Sequence, residues 1–165
     1  MIIREVKRSD AEKLAVLMQQ VDESAEYMLW EKGERSFQTE NLLKRIESLQ
    51  ESENSTILVA DDGNNLIGYL FVIGGNARRQ KHSGYVVVGI HSDYRGKGIG
   101  TLLFEELDRW ATKRSLHRLE LTVVTHNEAG LTLYKKQGFE IEGTKRDSLF
   151  IDGEYLDEYY MARLL

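Results

Sequence analysis

Cysteine and proline are both absent from the 165 residues of this chain. Without cysteine there is no disulfide framework, thiolate zinc site, cysteine-ligated iron–sulfur cluster or cysteine nucleophile. Without proline, every turn has to be made by glycine, asparagine, aspartate or serine, and the chain contains 14 glycines. Proline-rich linkers and recognition segments are excluded as well.

A strong excess of one charge and a long apolar run are also missing. The net charge is −5, and nucleic-acid binding needs a basic face, so we expect no nucleic-acid partner. The longest mostly apolar run, residues 66–75, is far shorter than the roughly 20 residues of a membrane-spanning helix. The N-terminal residues lack an apolar stretch of signal-peptide length. We therefore expect a cytoplasmic protein of one domain, residues 1–165, with no membrane partner.

The hydrophobic pattern predicts strands interleaved with helices. Predicted strands cover residues 2–6, 55–60, 66–73, 85–90, 119–124, 139–143, 149–151 and 155–164. Predicted helices run from a Ser9–Asp10 cap to Val21, over 39–51, over 98–114, and from Asn127 to near Gly138. Asp-Gly pairs at 62–63 and 152–153 are hairpin signals. The expected fold is mixed α/β (α+β), with a mostly antiparallel central sheet flanked by about four helices.

The segment with the clearest chemical signal joins the strand at 85–90 to the helix at 98–114. It contains Arg95-Gly96-Lys97-Gly98-Ile99-Gly100. Glycines let backbone N–H groups approach an anion, the helix start supplies unpaired donors, and two cations stand beside them. This arrangement predicts a phosphate-binding loop, although the spacing fits neither a Walker A loop nor a dinucleotide fingerprint. The structural alternative is a loop that only makes a tight turn.

Two motifs resemble signatures of the GNAT acetyltransferases. Arg95-x-x-Gly98-x-Gly100 is similar to Q/R-x-x-G-x-G/A, and residues 127–139 are similar to N-x-x-A-x-x-L-Y-x-x-x-G-F. Gly130 stands where the family usually has alanine, and Ser92 where it often has proline. The resemblance implies the acyl-CoA N-acyltransferase fold, with acetyl-CoA as acetyl donor and no metal. The C-terminal residues 151–161 resemble the branch that includes ribosomal-protein and polyamine acetyltransferases.

The resemblance also implies where acetyl-CoA binds. Its pantetheine arm would lie along the central strand like an added strand, and a backbone N–H there would stabilise the oxyanion. The pyrophosphate would lie against the glycine-rich loop, and the short helix after Asn127 would line the other side. The implied cofactor-binding residues are Val88, Ile90, Arg95, Gly96, Lys97, Gly98, Ile99, Gly100, Thr101, Asn127, Tyr134 and Lys136.

Two residues are candidates for proton transfer. Tyr134 could protonate the departing thiolate, because a phenol of pKa about 10 is a suitable acid; the alternative is a packed helix tyrosine. Many family members use a glutamate on the central strand as general base, but this chain has Gly84 and Tyr85 there. His82 is nearby and could serve as the base, although loop histidines are usually plain surface.

The acceptor is expected between the first two helices, where carboxylates stand beside aromatic residues. Glu23, Glu26, Tyr27 and Trp30 are the candidate substrate residues. They favour a cationic acceptor, while the alternative is a solvated, charged helix end.

The function implied is transfer of an acetyl group from acetyl-CoA to a primary amine by direct attack in a ternary complex. A small amine, a polyamine and a protein N-terminus all remain open as acceptors. The alternatives are a non-catalytic acyl-CoA binding or sensing module and a binder of nucleotide phosphates. Edge strands near the C-terminus are compatible with a homodimer.

Overall fold

A computed structural model describes all of residues 1–165. The strands are β1 (Ile2–Glu5), β2 (Thr56–Asp61), β3 (Leu66–Gly74), β4 (Ser83–Ile90), β5 (Arg118–Val124), β6 (Glu140–Ile151) and β7 (Glu154–Leu164). The helices are α1 (Ala11–Ser24), α2 (Thr39–Gln50), α3 (Ile99–Lys113) and α4 (Glu128–Lys136). The predicted mixed fold, with a mostly antiparallel sheet and four helices, is confirmed.

All seven strands form one sheet, in the order β1-β2-β3-β4-β5-β7-β6, and only β4 and β5 are parallel. Alternate strand residues point to opposite faces, so helices can cover both. Leu17 of α1 and Ile46 of α2 share one buried cluster with Tyr69 of β3. Leu107 of α3 shares the other with Leu121 of β5. None of the helices is long and apolar enough to cross a membrane.

The parallel strands β4 and β5 separate part-way along their length. Backbone pairing joins Ser83–Tyr85 to Arg118–Glu120 and stops there. Beyond that point β4 stays paired with β3 as far as Ile90, and β5 stays paired with β7 as far as Val124. Each strand is therefore held by its outer neighbour while its inner edge is unpaired. The backbone of residues 86–90 is left available to an extended ligand.

The two short strands predicted near the C-terminus form the single long strand β6. Its register against β7 shifts between Ile141 and Gly143 and again between Lys145 and Leu149. Asp147, inside the second bulge, has a positive φ of 49°. The polar residues of this bulge break the alternation of apolar and polar side chains on which strand prediction depends.

Helix α1 begins directly after Asp10, so the predicted N-cap position is confirmed. The carboxylate of Asp10 does not cap α1, however: it accepts a hydrogen bond from the backbone N–H of Lys7 (2.7 Å) and so caps the short 3-10 turn Arg8–Asp10. The same carboxylate also accepts two bonds from Arg4.

Candidate active site

A cavity of about 710 Å³ lies where β4 and β5 separate. It extends from Tyr134 of α4, past Val88 of β4, to residues 27–38 between α1 and α2. Strands β3, β6 and β7 complete its walls. Most lining side chains are hydrophobic and a few are charged, which is typical of a ligand site.

The glycine-rich loop lies beyond the end of β4 and begins α3. Gly96 and Gly98 have φ of 72° and 82°, which glycine adopts without strain. Gly98 occupies the N-cap position, and no side chain caps the helix, so the N–H groups of its first turn remain available. A Cβ at either glycine would meet no atom within 4 Å, so this face of the loop is open. The geometry suits a phosphate group at the helix N-terminus.

The two cations of the loop have different surroundings. Arg95 donates to the hydroxyl of Ser24 (3.0 Å) and to the carbonyl of Ile90 (3.3 Å), which ties the end of α1 to the end of β4. Lys97 is exposed, and its ammonium lies 5.3 Å from the ring centroid of Tyr94. Arg95 therefore has a structural role besides the charge that it brings to the loop.

The remaining loop residues can contact a ligand mainly through their backbone. The side chain of Ile99 is buried in the core, and Thr101 is half-buried. A Cβ at Gly100 would lie 2.8 Å from the side chain of Leu133, so α3 and α4 pack closely there. Close packing brings the start of α4 beside the loop.

Helix α4 forms the other side of the gap. The side chain of Asn127 caps it by accepting a hydrogen bond from the N–H of Gly130 (3.0 Å). Lys136 is exposed in the last turn. Tyr134, between them, lines the cavity, and its ring is held edge-on by Phe104 and Phe139. Burial raises the pKa of Tyr134 to about 12, so this phenol keeps its proton at neutral pH.

On β4, Val88 lines the cavity, while the side chain of Ile90 packs against the α3 side of the core. Both belong to the stretch whose backbone faces the gap. The gap begins at Tyr85, whose hydroxyl forms a hydrogen bond of 2.7 Å with Thr122 of β5. The structure thus places Val88 and Tyr134 on the wall of one cavity.

The predicted acceptor residues are divided by the fold. Tyr27 and Trp30 line the cavity. Glu23 and Glu26 are exposed and do not belong to its wall. The carboxylates of residues 22–35 therefore contribute no negative charge to the cavity wall.

His82 also lies outside this cavity. It lines a smaller neighbouring one of about 330 Å³, which shares Tyr85 with the first. The backbone carbonyl of His82 accepts bonds from the N–H groups of His117 and Arg118, but its side chain is exposed. No cluster of three histidine, aspartate or glutamate side chains is placed to hold a metal ion.

A buried ion pair fixes the segment between α1 and α2. Asp22, only 3% exposed, accepts two hydrogen bonds from Arg35, at 2.7 and 2.9 Å. The same guanidinium lies against the rings of Trp30 and Phe37. Sequence reasoning missed this pair, because no regular spacing connects an irregular segment to a helix end.

Four charged side chains line the large cavity: Arg35, Arg45, Lys145 and Glu158. Arg35 is neutralised by Asp22, whereas neither Arg45 nor Lys145 forms a salt bridge. The wall therefore carries an excess of positive charge. These residues come from separate elements, so no motif could have grouped them.

Known proteins resemble this chain in sequence and in structure. The profile of the acetyltransferase (GNAT) family matches residues 21–139. An L-amino acid N-acetyltransferase of Escherichia coli is 34% identical over 111 residues, 65% of this chain and 67% of the relative. A GNAT-family acetyltransferase from Streptococcus pneumoniae superposes with a TM-score of 0.95 and 28% identity, covering 99% of this chain and 98% of that one. A ribosomal-protein-alanine N-acetyltransferase from Brucella melitensis gives a TM-score of 0.87 and 26% identity, with complete coverage of both chains.

Proposed function

The chain belongs to the GNAT family of acetyltransferases, and on that basis we propose that it acetylates an amine whose molecule also carries an anionic group. Its reaction is acetyl-CoA-dependent N-acetylation. The proposal concerns the acceptor, the residues and the proton transfers. It depends chiefly on the excess of positive charge in the cavity that holds Tyr134.

The donor site would be the gap together with the glycine-rich loop. Backbone groups of Val88 and Ile90 would pair with the pantetheine arm, as they would with a further strand. Residues 95–101 would hold the pyrophosphate through the N–H groups of α3, with charge from Arg95 and Lys97. Asn127 and Lys136 would bound the α4 side. The bound donor supplies a thioester, whose carbonyl carbon is the group that the amine attacks.

Tyr134 would act on the sulfur that leaves. An alkyl thiol has a pKa of about 8.5, so a phenol of pKa about 12 is the weaker acid. Complete proton transfer from Tyr134 to a free thiolate would cost about 5 kcal/mol, at about 1.4 kcal/mol for each pKa unit. The larger contribution of Tyr134 would therefore be a hydrogen bond that stabilises the developing thiolate.

We infer the chemical class of the acceptor from the charged side chains on the cavity wall. Arg45 and Lys145 line the cavity and neither forms a salt bridge, although Glu158 lies opposite Lys145 in the β6–β7 pair. The guanidinium of Arg45 lies over the ring of Phe71. They suit a carboxylate or phosphate group on the acceptor, and they disfavour a polyamine, which carries several positive charges. The aromatic walls, including Tyr27 and Trp30, favour an apolar or aromatic side chain. An amino acid such as phenylalanine has all of these features.

A matched pair of acceptors tests the proposal: phenylalanine and 2-phenylethylamine, which lacks only the carboxylate. We expect kcat/KM to be about 10- to 100-fold higher for phenylalanine, the value of one or two charge-assisted hydrogen bonds. Release of CoA can be followed with a thiol reagent, because the chain itself has no cysteine background. Arg45→Gln should reduce the difference. Lys44→Gln, at the adjacent exposed position outside the cavity, should not.

Other outcomes would favour other functions. Faster turnover of spermidine or of 2-phenylethylamine would contradict the anionic acceptor. Binding of acetyl-CoA without CoA release for any amine, polyamine or N-terminal peptide would favour a non-catalytic acyl-CoA sensor. Thermal stabilisation by ATP and none by acetyl-CoA would favour a nucleotide-phosphate binder.

A further inference from the structure

Glu158 carries the only carboxylate on the cavity wall, and the lining contains no histidine. The phenols of Tyr134 and Tyr69 stay protonated at neutral pH, since burial raises the pKa of Tyr134 to about 12 and raises the pKa of Tyr69 as well. A carboxylate is the ordinary side-chain base among the groups that remain.

The reaction needs such a group. An amine with a pKa near 10 reaches the site mainly as the ammonium form, which has no free electron pair. It must lose one proton before it attacks, and the nitrogen loses another as the amide forms. The site therefore has to contain a proton acceptor or a path to one.

Glu158 lines the cavity from β7, and the bulge in β6 places a hydroxyl group beside it. Glu158 on β7 lies opposite Lys145, and the β6 register shifts immediately afterwards. Asp147 adopts a positive φ, and its N–H is held by the carboxylate of Asp157 (2.8 Å). The bulge turns Ser148 towards β7, and its hydroxyl donates to Oε1 of Glu158 (2.5 Å). Bulges commonly redirect side chains beside active sites.

We propose that Glu158 is the general base of the transfer, accepting the proton of the amine directly or through the hydroxyl of Ser148. This inference rests on the proposed function. The ammonium first gives one proton to Glu158, which passes it to solvent. The amine nitrogen then bonds to the acetyl carbon and gives its second proton to Glu158, while the carbon–sulfur bond breaks. The sulfur leaves with its electron pair as a thiolate that accepts a hydrogen bond from Tyr134, and it then takes one proton from solvent. Glu158 releases its second proton to solvent. The products are the amide, the thiol and one released proton.

The test compares Glu158→Gln with Glu154→Gln, an exposed glutamate on the same strand and outside the cavity. We expect kcat to fall about 100-fold or more in Glu158→Gln, as for loss of a general base, and to be unchanged in Glu154→Gln. The Kd for acetyl-CoA, measured by calorimetry, should be unchanged in both variants. In Glu158→Ala, added formate should restore part of the rate, because a small carboxylate can enter the vacated space. A purely structural role would not give this rescue.

Three results would overturn the role of Glu158. One is wild-type kcat in Glu158→Gln. Another is a change confined to the KM of the acceptor. The third is a loss of kcat in His82→Asn combined with an active Glu158→Gln. If the wild-type chain releases no CoA with any amine, the proposed function and the role of Glu158 fail together. If the wild type is active and Glu158→Gln equals it, only the role of Glu158 fails.

Discussion

At the scale of single residues, the cavity changes the pKa values of ordinary side chains and holds these side chains in fixed positions. Tyr134 has the same phenol as any tyrosine, yet burial raises its pKa to about 12. Tyr69 lies across β4 so closely that a Cβ at Gly89 would be 2.4 Å from its ring. Both phenols therefore stay neutral and lie in fixed positions on the wall of the cavity.

Tyr134→Phe removes one hydroxyl and leaves the ring packing against Phe104 and Phe139 in place. We expect kcat to fall on the order of 100-fold, because a hydrogen bond to the leaving sulfur is lost. The Kd for acetyl-CoA should change little. Steady-state kinetics and calorimetry check the two expectations, with the exposed Tyr155→Phe as control. Unchanged kcat would remove Tyr134 from the mechanism.

At the scale of elements, the start of α3 and the separation of β4 from β5 work together. The helix has a glycine at its N-cap and no capping side chain, and the strand edge beside it is unpaired. Both features leave backbone N–H groups without a hydrogen-bond partner, at the start of α3 and along the adjacent edge of β4. An elongated ligand with a phosphate at one end and amides along its length can use both.

Gly98→Val should weaken acetyl-CoA binding strongly. The residue has a φ of 82°, so a β-branched side chain is strained there and also occupies the open face of the loop. Acetyl-CoA at 100 times its Kd should stabilise the wild type by about 2.7 kcal/mol, which is about 5–10 °C in Tm for a chain of this size. We expect the shift to disappear in Gly98→Val.

The matched control for this experiment is Gly153→Val, which carries the same kind of strain in the turn between β6 and β7, at a φ of 79°. It should lower the basal Tm but keep the shift with acetyl-CoA. A full shift in Gly98→Val would mean that the pyrophosphate binds elsewhere.

At the scale of the whole molecule, one cluster of ion pairs joins strand β1 to the start of α1 and to the end of β2. Arg4 on β1 binds Asp10 (2.7 Å) and Asp61 at the end of β2 (2.9 Å). Hydrogen bonding to Arg4 lowers the pKa of the buried Asp10 carboxyl. The N–H of Gly63 and then Arg4 lower the pKa of Asp61.

These shifts predict loss of stability in acid. Both folded-state pKa values lie below the unfolded value of about 4, so the unfolded chain binds more protons in this range. The contribution is complete above about pH 4 and is lost as pH falls through the folded pKa values. Urea unfolding from pH 7 to pH 3 should show a smaller acid loss in Arg4→Met than in the wild type.

Arg4→Met should also be less stable at pH 7, because it leaves Asp10 buried without its partner. Arg8→Met is the control, since its pair with Glu47 is largely exposed and should contribute little. Equal acid loss in the wild type and Arg4→Met would show that other carboxyls are responsible.

Prediction from sequence succeeded where the signal is local. The loop at 95–101 and the α4 cap at Asn127 are contiguous segments, and glycines and a cap residue set their backbone directly. Prediction of secondary structure was weaker where consecutive residues of one strand lie in different surroundings, some exposed and some against a cavity. The sequence predicts two strands where β6 is continuous, because the polar residues 145–148 of its bulge interrupt the alternation of apolar and polar side chains. Two of them, Lys145 and Ser148, line a cavity that only the folded sheet creates.

The sequence by itself determined the fold class and the place of the glycine-rich loop, because hydrophobic periodicity and glycine positions are local signals. Only the tertiary structure decided the charge of the cavity. The acidic segment at 22–35 suggested a cationic acceptor, but its Glu23 and Glu26 face solvent. Arg45, Lys145 and Glu158, far apart in the chain, line the cavity instead. The charge of a site is summed over side chains that meet in space, and their meeting is set by strand order and register.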